Sequence, residues 1–223
     1  MVHPQQLHRR PAGTPMSAPL IKGWCPGALR PMASGDGLVV RVRAHGGRLS
    51  QEQARGLAAL ALRHGNGLID LSARANLQLR GITNHAAVVA GLGALGLIDA
   101  DQQSEARRNI LVTPFWRQDD GTQDLARELA EALAASDLSL PGKFGFALDS
   151  GELPVLRKAS ADIRIEREGR DHLVLADGAL SGARAGRAEV VATALDLARW
   201  FVETGGVQDG RGRMRSQLAQ GAT

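Results

Sequence analysis

Three features of the sequence predict an α+β protein. Alternation of apolar and charged residues at 38–43 and 75–82 has the period of two expected of half-buried strands. Apolar residues at helical spacing mark 50–64, 84–95, 124–135 and 188–203. Glycine-rich breaks separate these segments, so strands and helices are interleaved without forming a regular parallel series.

Taken in order, residues 1–21 hold Pro and polar residues and are expected to form a disordered tail. A glycine-rich segment, 23–37, follows. Residues 38–43 (Leu-Val-Val-Arg-Val-Arg) read as a strand. Ser50 and Gln53 have capping-box spacing, and the helix they open carries Ala54, Leu57, Ala58 and Ala61 on one face until Gly65-Asn66-Gly67 ends it. Short strands are expected at 68–71 and 75–82, then a helix at 84–95 with Val88, Val89, Leu92 and Leu95 apolar. The order β-α-β-β-α is that of a ferredoxin-like half-domain, assigned to 22–105. A second α+β domain is assigned to 106–205. Its expected strands are 110–115, 144–148, 161–165 and 173–176, and its expected helices are 124–135 and 188–203. Residues 206–223, with Arg211, Arg213 and Arg215, are expected to be a flexible basic tail.

Composition excludes several classes. The 223 residues are 43% apolar, enough for a core, but contain only four Phe, three Trp and no Tyr. Stacking platforms for nucleic acid are therefore scarce. The longest apolar run, 86–98, is too short and glycine-rich to span a membrane, and the N-terminus lacks a signal peptide's apolar core, so a cytoplasmic location is expected. Cys25 is the one cysteine, which allows no internal disulfide and no four-thiolate cluster. It is expected to be a small buried residue in its turn. The six histidines show no metal-ligand spacing; His45, beside two glycines, is at most a ligand contact.

Net charge is +4, and arginine supplies 24 of the 27 basic residues. Guanidinium is planar and matches carboxylate geometry. The arginines form a pattern. In a strand over 75–82, Arg74, Asn76, Gln78 and Arg80 share one face while Ala75, Leu77 and Leu79 share the other. Such a ladder extends roughly 20 Å, which suits a flat polyanion or, equally, a solvated sheet face. Arg41 and Arg43 alternate with Val40 and Val42 in the same way. Two neighbouring cationic rows repel unless an anion lies between them. Arg108 and Asn109 precede an apolar strand, and Lys143 follows the turn-like Leu140-Pro141-Gly142.

Several of these segments resemble the precorrin-3B synthases of the sulfite/nitrite reductase superfamily. The stretch Lys-Gly-Trp-Cys-Pro-Gly-Ala-Leu-Arg-Pro-Met (22–32) carries the likeness, as do Gly35–Leu38, Arg41-Val-Arg43, Gly65-Asn-Gly67 and Arg74-Ala-Asn-Leu-Gln-Leu-Arg-Gly81. Arg108-Asn109 is similar to an Arg-Asn pair of the reductases, and Leu140-Pro-Gly-Lys-Phe144 to their Leu-Pro-x-Lys-Phe segment. Gly145 stands where the reductases have a second lysine, a departure from sulfite or nitrite reduction.

The resemblance implies a sulfite/nitrite reductase-type α+β fold and an oxidoreductase of cobalamin biosynthesis. Such an enzyme hydroxylates precorrin-3A with dioxygen and a reductant, NADH, and closes a lactone. It further implies that Arg41, Arg43, Arg74, Arg80, Arg108 and Lys143 grip the carboxylates of a tetrapyrrole, and that Asn76, Gln78 and Asn109 support it. Family members carry iron in a 4Fe–4S cluster held by two cysteine pairs in a second half; none of those cysteines occurs in this sequence. A separate cluster-binding half or electron donor is thus an expected partner. The alternatives are half of a sirohaem-dependent reductase and a non-catalytic tetrapyrrole-binding fragment.

Overall fold

A computed structural model describes residues 26–221 and shows a mixed α+β protein with two sheets. Lys22, Trp24 and Cys25 of the sequence motif lie outside the described residues.

The first sheet is wholly antiparallel, with strands β1 (Met32–Ser34), β2 (Gly37–Arg43), β3 (Ile69–Leu71) and β4 (Asn76–Ile82) in the order β1-β2-β4-β3. Helices α1 (Gln51–His64) and α2 (His85–Ala94) cover one of its faces. Val40, Val42, Leu79, Leu57, Ala61, Val88 and Leu92 are buried between sheet and helices. Removing this apolar surface from water is what holds the layer together. Both capping-box bonds of α1 form: Gln53 N–H donates to Ser50 Oγ at 3.0 Å, and Ser50 N–H to Gln53 Oε1 at 2.9 Å. Asn84 caps α2 by accepting from Ala87 N–H. The edge strand β1 falls within the glycine-rich segment and was not expected from periodicity, being only three residues long.

Strand β4 starts later than the alternation predicts. Residues 72–75 form a turn in which Ala75 N–H bonds to Ser72 O and Ala75 has φ 52. At the other end, Gly81 has φ 64 and the register against β2 shifts, so Ile82, and not residue 81, rotates into the core.

The second sheet has the order β5-β6-β7-β8-β9, from β5 (Ile110–Val112), β6 (Phe146–Asp149), β7 (Ile163–Glu168), β8 (Asp171–Ala176) and β9 (Ala183–Ala185). β5, β6 and β7 are parallel and the remainder antiparallel. α4 (Thr122–Ala135) and α5 (Val190–Glu203) pack on it; Leu125, Leu129 and Leu133 of α4 and Val190, Ala194, Ala198 and Phe201 of α5 are buried. Phe144 meets Phe146 edge-on at 5.7 Å and Phe201 at 4.8 Å.

A short helix, α3 (Gln102–Arg107), links the two sheets. A 3-10 turn at His45–Gly47 reaches from the end of β2 to α4, where Gln123 Nε2 donates to Gly46 O at 3.3 Å. Arg48 lies 4.1 Å over the Trp116 ring. The expectation of a mobile basic tail does not hold for residues 206–221. They form α6 (Met214–Ala219), with Met214 fully buried and Gln217 Nε2 donating to Thr204 O at 2.7 Å. The arginines misled the reading because Arg213 and Arg215 are ion-paired, to Asp162 and Asp177. No described helix is long and apolar enough to cross a membrane.

Two outcomes test this packing. Ser50→Ala removes a helix cap and should lower stability by about 1 kcal/mol in urea unfolding. His172, on β8, is 6% exposed, and its Nδ1 has no hydrogen-bond partner. Burial pushes its pKa down, and Arg167 and Arg187 push in the same direction. The unfolded chain therefore binds this proton more readily, so the contribution is complete above the ordinary histidine value of about 6.5 and is lost as pH falls below it. Urea midpoints at pH 7.5 and 5.5 should differ less for His172→Gln than for the parent.

Candidate functional site

The face of the first sheet turned away from α1 and α2 is polar. Arg41 lies opposite Gln78 and Arg43 opposite Asn76, while Val40–Leu79 and Val42–Leu77 fill the core side. Strand alternation thus brings Arg41, Arg43, Asn76, Gln78 and Arg80 to one surface. Arg74 does not join them as a ladder residue. It sits in the 72–75 turn, because the positive φ of Ala75 breaks the alternation one residue before the strand begins.

The expected cationic set divides in two. Arg43 is buried and donates through Nη1 to Glu105 O at 3.0 Å and Glu105 Oε1 at 3.3 Å. Glu105, 4% exposed, also accepts from Ala28 N–H at 2.6 Å and Leu29 N–H at 3.1 Å. Burial pushes the Arg43 pKa down, against the pull of Glu105 and with Arg41 and Arg108 adding like charge. Arg80 reaches Asp36 at 3.5 Å, Asp70 at 3.8 Å and Ser34 Oγ at 3.3 Å. Arg108 forms a bidentate pair with Asp99 at 2.8 and 2.7 Å. Asn109 Nδ2 donates to Phe144 O at 3.0 Å. These four residues have internal partners. Arg41, Arg74, Asn76, Gln78 and Lys143 have none for their side chains among the described residues, and the Nε of Arg41 is enclosed without an acceptor.

Arg43 opens onto a cavity of about 340 Å³ lined also by Arg30, by Gln102 and Glu105 of α3, and by Gly142 and Gly210. Lys143, the chain neighbour of Gly142, is exposed. A neighbouring cleft of about 560 Å³ is lined by His45, Arg108, Ile110 and Val112 and by Ala126, Ala130 and Ala134 of α4. Asp36 holds a turn, accepting from Asn66 Nδ2 at 3.0 Å. Glu105, Gln102 and Gly210 were missed from sequence: a six-residue helix carries too few turns for periodicity to show, and Gly210 is 67 positions beyond Lys143.

A 4Fe–4S cluster requires four thiolates, and this chain has one cysteine. Among the described residues no group of three or more His, Cys, Asp or Glu is placed to hold a metal ion. The residues of this chain do not fit the cluster. Glu105→Ala would leave Arg43 buried and unpaired, and should cost about 3–5 kcal/mol in urea unfolding.

Three likenesses accord with this geometry. Residues 30–105 match the nitrite/sulfite reductase ferredoxin-like half-domain family. A precorrin-3B synthase from a Sinorhizobium species is 40% identical over 161 residues, covering 70% of this chain and 34% of that protein. This chain therefore spans about a third of its relative's length. The NirA protein of Mycobacterium tuberculosis superposes with a TM-score of 0.63 at 20% identity, over 94% of this chain and 42% of that one; at that identity the likeness is one of fold. The likenesses thus place a match to the nitrite/sulfite reductase ferredoxin-like half-domain at residues 30–105 of a chain that is similar, over part of its length, to a precorrin-3B synthase.

Proposed function

We propose that this chain is the tetrapyrrole-holding part of a precorrin-3B synthase-like oxidoreductase of cobalamin biosynthesis. The observation that carries the reading is the set of donors left without internal partners: Arg41 and Gln78 side by side on the sheet, Arg74 in the adjoining turn and the exposed Lys143 beside Gly142. A planar molecule edged with carboxylates supplies what these groups lack, and charge-assisted bonds to it are stronger than bonds between neutral groups. The 40% identity to a precorrin-3B synthase supports precorrin-3A or a close relative as the macrocycle.

In this reading Arg41, Arg74 and Lys143 bind peripheral carboxylates, and Asn76 and Gln78 hydrogen-bond to carboxylates or ring substituents. Arg43, Arg80, Arg108 and Asn109 keep that face in shape through their protein partners. The chain's contribution is to bind and orient the macrocycle. The overall reaction is oxygen-dependent hydroxylation and lactone closure on precorrin-3A, with NADH as the reductant. Gly145 weighs against a sulfite or nitrite reductase half. A Cβ there would stand 2.6 Å from Asn109 Nδ2, so the position gives no room for a second lysine without displacing Asn109.

Uroporphyrin, a stable polycarboxylate macrocycle, should bind the purified chain with an affinity that falls as salt rises. Arg41→Ala, Arg74→Ala and Lys143→Ala should each weaken binding by about 1.5–3 kcal/mol, tenfold or more, in an absorbance titration. Unchanged binding in all three would remove the assignment.

A further inference from the structure

Asp162, immediately before β7, is 0% exposed, and its carboxylate is shared between two distant segments. Oδ2 accepts from Gly145 N–H at 3.0 Å. Oδ1 accepts from Arg213 Nε–H at 2.9 Å and from Met214 N–H at 2.9 Å. The Asp162 backbone N–H donates back to Gly145 O at 2.7 Å. A buried carboxylate is stable only when such donors surround it, so the three segments are held to one another.

What these segments carry gives the cluster its interest. Gly145 lies two residues beyond Lys143, in a loop tightened by the Phe144 N–H bond to Pro141 O and pinned by the buried Phe144 ring. Arg213 and Met214 end the stretch that contains Gly210. Gly142 and Gly210 are both walls of the 340 Å³ cavity onto which Arg43 opens. One carboxylate outside the cavity therefore ties down the loops behind two of its walls.

We infer that Asp162 is a positioning residue: its carboxylate couples the Arg213–Met214 segment to the Lys143 loop and so sets where Lys143, next to the cavity-lining Gly142, stands. The functional part of this rests on the proposed role of Lys143, whereas the coupling itself is a property of the fold. Asp162 touches no ligand and acts only through the loops it holds. Loosening either side of the carboxylate frees the other.

The chain's lysines make the coupling measurable. Endoproteinase Lys-C cuts only after lysine, and Lys143 is one of three lysines in the sequence. Cleavage of the Lys143–Phe144 bond requires the loop to open, since Phe144 is 2% exposed. The initial rate at this bond is followed by mass spectrometry for the parent chain, Arg213→Gln, Arg213→Lys and Asp162→Asn, with and without uroporphyrin. Urea unfolding of each protein gives the contribution of global opening. Arg213→Gln, 70 positions from the bond, should be cut there about fivefold faster or more than global unfolding accounts for, a local opening difference of about 1 kcal/mol. Arg213→Lys, which keeps a cation for Asp162, should lie between it and the parent. If Asp162→Asn does not fold, the two Arg213 variants decide the matter. A parent rate at Lys143 in folded Arg213→Gln overturns the inference, as does an increase matched by global unfolding. Uroporphyrin should slow the cut in the parent. If it does not, while Arg213→Gln still accelerates it, the coupling stands and the tetrapyrrole reading falls.

Discussion

The polar face of the first sheet depends on one buried carboxylate. Alternation in β2 places Arg41 and Arg43 on the same side, and the chain's return through α3 brings Arg108 within their field. Three guanidiniums gathered at low dielectric repel one another and lose hydration, a cost that would open the structure. Glu105 answers this for Arg43 and at the same time accepts two backbone N–H groups from the loop ahead of β1. Asp99 answers it for Arg108. Loop, strand and linking helix are thereby joined around charges that could not be buried separately.

That pairing also determines which charges remain for a ligand. An arginine already held by a carboxylate offers an incoming anion little, because its donors are engaged and its charge is offset. Arg43, Arg80 and Arg108 each have an acidic partner that offsets their charge, although the Nε of Arg43 has no hydrogen-bond partner. Arg41 is different: the neighbour across the strand is the neutral Gln78, and no carboxylate of the described residues reaches it. The side chain of Arg41 is half-buried and its Nε, like that of Arg43, is enclosed without a hydrogen-bond partner.

The second sheet contributes rigidity behind the same region. Its parallel strands β5 and β6 set Asn109 and Phe144 beside each other, and the aromatic cluster of Phe144, Phe146 and Phe201 fixes the loop that presents Lys143. The 3-10 turn at His45–Gly47 and the stacking of Arg48 on Trp116 keep the two sheets in contact. The cavity brings Arg43 of β2 together with residues of α3 and with Gly142 and Gly210, which lie in turns outside both sheets.

Much of this was legible in the residues themselves. The Ser50–Gln53 cap, the leucines at 125, 129 and 133 and the valine–arginine alternation of β2 announce elements several turns or residues long, where periodicity accumulates. The likeness of 22–82 to a known family named the polar strand, and alternation put Arg41 with Arg43, and Asn76 and Gln78 with Arg80, on one face of each strand; the pairing of β2 with β4 made these one face. Short pieces carried no such signal: β1, α3, β9 and α6 have six residues or fewer. Arg74 was misplaced because Ala75, an ordinary strand residue by pattern, takes a positive φ. What only the tertiary structure decided is the division between structural and available charges. Asp36, Asp99, Glu105 and Asp162 acquire their roles from partners 9 to 77 positions away. A local pattern records which way a side chain points, whereas its electrostatic partner is chosen by folding.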